Sequence, residues 1–141
     1  MQQAAPVEFV SADTVGSDKP KIEYLHVLSG TLPQQTAQVR IVIAGVQHSA
    51  EAASVKGPLD AIAKAIALIV PNEAVLTNFS AKALTRGTDA IAKVSVTVEI
   101  GGKKIVCRSE HADTNLAFAR AYLGAVNHNR ASAWKVPRSK R

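Results

Sequence analysis

At 141 residues and 47% apolar composition the chain is long enough for one domain with a real core, but only six side chains are Phe, Trp or Tyr, which favours thin, closely packed layers. No stretch approaches the roughly 18–20 apolar residues of a membrane span, the start MQQAAPVEFV lacks the features of a signal peptide, and the single Cys107 excludes an internal disulfide, so a soluble cytoplasmic chain is expected. Net charge is +6, yet Arg130, Lys135, Arg138, Lys140 and Arg141 supply five cations with no acid among them; the remainder carries 12 Lys and Arg against 11 Asp and Glu, so the folded body is almost neutral and a nucleic-acid surface is not expected on it.

In chain order, residues 1–21 mix Gln, Ala, Pro, Ser, Asp and Gly without periodicity and read as a flexible N-terminal segment or linker. KIEYLHVLSG then reads as a strand closed by Ser29-Gly30. TAQVRIVIAG alternates, with Ala37, Val39, Ile41 and Ile43 on one face and Gln38 and Arg40 on the other. HSAEAASV is a weaker third strand. Gly57-Pro58 opens an apolar helix, since proline's missing N–H is no loss at a first helical position, and Pro71-Asn72 stops it.

The second half repeats this order. AVLTNFSAKALTRG is a strand ending at Gly87, and AIAKVSVTVEI sets Ala92, Val94, Val96, Val98 and Ile100 against Lys93, Ser95, Thr97 and Glu99. Gly101-Gly102 makes a hairpin turn into KKIVCRSE. Asp113 is a good N-cap for a helix running through Tyr122 to about Asn127. Setting Ala37 against Ala92 gives an offset of 55, which carries Gly57 to Ala112 and Asp60 to Asn115. The expected fold is therefore α+β, with two pseudo-symmetric strand-strand-strand-helix units, 22–72 and 73–129, whose antiparallel sheets pack on helices, followed by a basic tail, 130–141.

The ordered set SG (29–30), A-x-V (37–39), GPLDA (57–61), GTDA (87–90), the valine-alternating strand 94–98, DTN (113–115) and AYLGAVN (121–127) resembles the C-terminal regulatory domain of the 2-isopropylmalate synthases and citramalate synthases, over residues 22–129. The resemblance implies a homodimer that binds a branched-chain amino acid, leucine or isoleucine, between its units and inhibits a separate acyltransferase barrel. That barrel carries the divalent metal on an H-x-H motif, whereas His26, His48, His111 and His128 stand alone here. No catalytic residue, metal site or cofactor is therefore expected in this chain, only a connection to the catalytic barrel domain of a parent synthase.

Carried over position by position, the family's effector pocket would be lined by Leu59, Asp60, Leu76, Phe79, Ala83, Ala90, Ala112 and Thr114. The helix starts at Gly57-Pro58-Leu59 and Ala112-Asp113-Thr114 offer N–H groups to a carboxylate, and Asp60 or Asp113 could take an ammonium. Plainer roles compete for the same residues. Asp60 with Lys64 is an ordinary i,i+4 pair, Asp113 an N-cap, Phe79 a core residue, and Thr114, Phe118, Ala121 and Ala125 a buried helical stripe. The sequence also departs from the family pattern: Val55 stands where a second glycine usually precedes GPxDA, and CRSEHADTN has no glycine. A purely structural dimerisation module with a degenerate pocket is thus the alternative, and a third reading is an acidic-partner or nucleic-acid binder acting through NRASAWKVPRSKR, with Trp134 between Arg130 and Lys135.

Overall fold

The computed structural model describes residues 7–11, 19–28, 34–83 and 90–138; the sequence markers Ser29-Gly30 and Gly87-Thr88-Asp89 lie outside the described residues, as do the side chains from 129 onward, Trp134 included. The elements run β1 (Val7–Ser11), β2 (Lys21–Leu28), β3 (Gln35–Ile43), β4 (Val46–Ser54), α1 (Pro58–Ile69), β5 (Val75–Ala83), β6 (Ala92–Ile100), β7 (Lys103–His111) and α2 (Thr114–Arg138). β2, β3 and β4 form one antiparallel sheet; β5, β6 and β7 form the antiparallel part of the other, in the order β1-β7-β6-β5. Two strand-strand-strand-helix units are present, as the alternation implied.

Each helix covers the sheet of its own unit, and the two helices meet. One face of each central strand is buried: Ala37, Val39 and Ile41 on β3, and Val94, Val96 and Val98 on β6. Against them pack Ala61, Ile62, Ala65 and Ile66 of α1 and Ala117, Phe118, Ala121 and Ala125 of α2. Thr114, placed in the same stripe by its spacing, is exposed. It is the first residue of α2 and stands by Ala83 at the end of β5 rather than in the core.

Three expectations need correcting. Val7–Ser11 is a strand rather than part of a flexible terminus, and it pairs with β7 in parallel, so the second sheet is not wholly antiparallel. Parallel pairing with a strand about a hundred residues away leaves no local turn signal to read. Second, α2 runs past Asn127 to Arg138, so the backbone of the basic tail is helical over 130–138. No residue between Asn127 and Pro137 breaks a helix, and single asparagines there only weaken one.

Third, the two units do not superpose at an offset of 55. β3 with β6, and β4 with β7, match end to end at 57. The helices match at 56, which sets Ala61, Ile62, Ala65 and Ile66 on Ala117, Phe118, Ala121 and Tyr122, all buried. The one-residue step arises because three residues join β4 to α1 and only two join β7 to α2. Asp60 therefore corresponds to Leu116 rather than Asn115, and the first unit's acid has no polar counterpart.

Candidate functional site

Two residues close the third strand of each unit in the same way. The Ser54 Oγ accepts the backbone N–H of Lys56 (3.0 Å), and the His111 Nδ1 accepts that of Asp113 (2.9 Å). Beyond this point the units diverge. Asp113 caps α2, its Oδ1 accepting the N–H groups of Asn115 (2.9 Å) and Leu116 (3.2 Å). α1 starts at Gly57, φ 123°, with no side-chain cap. Its first-turn N–H groups remain available, as an anion would require.

Asp60 stands in that open first turn. Ser54 Oγ donates to Asp60 Oδ2 at 2.5 Å, and Lys64 Nζ lies 3.4 Å from the same oxygen. The Ser54 hydrogen bond above all, opposed by burial and aided by the neighbouring Lys64 and Lys56 charges, holds the Asp60 carboxyl below its ordinary range. Asp60 is thus ionised, and its Oδ1 makes no hydrogen bond among the described residues. The ordinary i,i+4 pair with Lys64 exists, but it occupies one oxygen only.

Beside it lies a 390 Å³ cleft between α1 and the chain entering β5. Leu59, Ala63 and Ala67 form one wall, Ala74 and Leu76 the other, and Tyr122 of α2 lies at the seam between the units. Lys56, Asp60, Lys64 and Asn72 bring the polar groups. Asn72, which stops α1, holds the wall: its Nδ2 donates to the Val70 carbonyl (2.9 Å) and its Oδ1 accepts from Ala74 N–H (3.0 Å) and Tyr122 Oη–H (3.3 Å). Burial pushes the Tyr122 phenol up, so it stays a donor at neutral pH. Phe79, edge-on to Phe118 at 5.6 Å, and Phe118, stacked on Tyr122 at 6.0 Å, brace that seam from the core.

The expected lining divides. Leu59, Asp60 and Leu76 line this cleft, while Ala83, Ala90, Ala112 and Thr114 line another of 290 Å³, with Lys82, at the far end of β5. Leu76 and Ala83 are seven residues apart on one strand, about 23 Å at a rise of 3.3 Å. Phe79, between them, packs against the core. Gly57 and Pro58 begin α1, and Asp113 caps α2. Sequence reasoning missed Ser54, Asn72 and Tyr122. Asn72 carried a signal only as a helix stop, and Ala63 and Ala67 stood at four-residue steps from Leu59. Among the described residues no three His, Cys, Asp or Glu side chains gather as a metal site, and no helix is long and apolar enough to cross a membrane.

The family described as the LeuA allosteric (dimerisation) domain matches residues 7–129, which takes in β1. The 2-isopropylmalate synthase of Caulobacter vibrioides is 42% identical over 113 residues, 80% of this chain and 21% of that protein. That of Methylorubrum populi is 40% identical over 119 residues, covering 84% and 23%, and that of Nitrobacter winogradskyi 39% over 110, covering 78% and 21%. The chain thus spans about a fifth of the length of the curated relatives it matches.

Proposed function

The chain belongs to the LeuA allosteric (dimerisation) domain family, and on that premise we propose that it senses a branched-chain amino acid, leucine or isoleucine, and dimerises to pass feedback inhibition to the catalytic barrel of a 2-isopropylmalate synthase-type acyltransferase. The observation that carries the reading is the α1 cleft: an ionised carboxylate with one oxygen unbonded among the described residues, a helix N-terminus without a side-chain cap beside it, and an apolar trough leading away. The Asp60 Oδ1 receives the ammonium, the first-turn N–H groups and Lys56 receive the carboxylate, and the aliphatic side chain lies against Leu59, Leu76 and the alanines. Burying that side chain contributes roughly 1.5–3 kcal/mol. A micromolar effector needs about 8 kcal/mol, so the polar contacts supply the greater part.

A thermal-shift screen of the twenty amino acids tests this. Leucine or isoleucine at about 100 times its dissociation constant adds roughly 2.7 kcal/mol, a rise of several degrees in Tm. Asp60→Asn should remove that rise. The absence of any hit among the twenty would overturn the sensing role.

The second reading, a structural dimerisation module without an effector, is favoured by Val55 and the glycine-free segment 107–115, and by the division of the expected lining into two clefts. Glycines there would let the backbone approach a ligand closely. This reading predicts a dimer in light scattering that answers to no amino acid.

A further inference from the structure

β1 is attached to the domain unlike any other strand. Among the described strands it is the shortest, at five residues, and the one paired in parallel, along β7; of its side chains Val10 alone gives apolar contact to the core. Phe9 is 67% exposed, with the Arg108 guanidinium 5.7 Å from its ring centre. What fastens the strand is polar. Glu8 Oε1 shares a hydrogen bond with His128 Nε2 of α2, and Glu8 Oε2 lies 3.5 Å from Lys103 Nζ at the start of β7. One residue away on α2, Asn127 Nδ2 donates to the Pro20 carbonyl (3.2 Å), so the same turn of the helix also holds the entry to β2.

We propose that β1 is a strap whose seating on the β7 edge is governed by the protonation state of His128. With the imidazole charged, Glu8 sits between two cations and its bond to Nε2–H is charge-assisted; with the imidazole neutral, one cation is gone and the bond is an ordinary one. Imidazoles change charge between pH 5 and 8, so the strap tightens at mildly acidic pH and slackens above neutrality.

Glu8 faces the histidine from β1 and Lys103 completes the cluster from β7. On the β2 side the contact is the neutral Asn127–Pro20 bond, and Glu23 is drawn to Arg40. The charges of α1, Asp60 and Lys64, pair with each other, and the residues one turn back on α2, Gly124 and Ala125, carry none. His128, with Lys103 behind it, also holds the Glu8 carboxyl below its ordinary range. Glu8 therefore contributes above pH 4.5 and loses its contribution only in stronger acid. Release of the strap bares the β7 edge from Lys104 to Arg108, an extended template open to another strand.

Hydrogen exchange on the whole chain tests the strap, with protection of the Val7–Ser11 amides expressed relative to those of β6 at each pH. Between pH 6 and 8 the relative protection should fall about fivefold, the scale that separates a charge-assisted from a neutral hydrogen bond. His128→Gln and Glu8→Gln should both show low protection at either pH, and His128→Lys high protection at both. Wild-type protection constant across the range, or an unaltered pH response in His128→Gln, would overturn the proposal. So would loss of protection in β6 equal to that in β1, which would make His128 a general structural residue.

Discussion

Ser54 and His111 end their strands with the same backbone contact, yet only Ser54 also reaches a carboxylate. Its hydrogen bond is what sets the Asp60 rotamer and acidity, so Ser54→Ala should cost about 1–2 kcal/mol at neutral pH. The sign with pH follows from the depressed carboxyl. Stability from the ionised Asp60 is present above its ordinary pKa of 3.8 and lost as pH falls through the lower folded value, so the cost of Ser54→Ala shrinks toward pH 3. Urea melts at pH 7 and pH 3 check both statements. Ser109 behaves in the opposite way: it is 1% exposed, and its Oγ has no partner among the described residues. The first unit carries Ala52 at the matching place on β4, so Ser109→Ala should stabilise the domain by about 1 kcal/mol in the same melts. Sequence alone showed an acid near each helix start. It could not show which one was shared with a serine, because a single-residue step in loop length decides which side chains align.

Among the elements, the clearest sequence signal was alternation in β3 and β6, where one buried face forces a period of two. The hairpin at Gly101-Gly102 was legible for the same reason that its counterpart was not. Both turns hold two residues at positive φ, 58° and 82° in the second unit, but the first unit fills the 51° position with Ala44 before Gly45. A β-carbon in that region costs roughly 1 kcal/mol, and asparagine tolerates it better. Ala44→Asn should therefore raise stability by about 0.5–1 kcal/mol, seen as a higher urea midpoint with an unchanged slope. β1 escaped a local reading because Val10 alone of its side chains packs on the apolar core and its pairing partner lies far along the chain. The end of α2 escaped because Asn127 only weakens a helix that nothing further stops before Pro137.

On the scale of the whole molecule, duplication supplies the core and departure from symmetry supplies the cleft. The seam between units is closed by Asn72 against Tyr122, which Phe118 and Phe79 of the second unit brace from the core, while small side chains at Ala63, Ala67 and Ala74 leave 390 Å³ open beside Asp60. At the place of Ala67 the second unit carries Leu123, which is buried. Sequence comparison within the chain could suggest two equivalent helix starts, but not that one would be capped by Asp113 and the other left open. The sensing and purely structural readings share this fold and part company at the cleft. Ala67 is half-buried on its wall, two helical turns from Asp60, and Ala67→Phe should fill the trough while leaving the Asp60–Ser54 hydrogen bond in place. The expected result is a dimer of unchanged mass in light scattering whose Tm no longer rises with leucine or isoleucine. An amino-acid response that survives with the trough filled would place the effector elsewhere, with the second cleft at Ala83, Ala90, Ala112 and Thr114 the next position to fill.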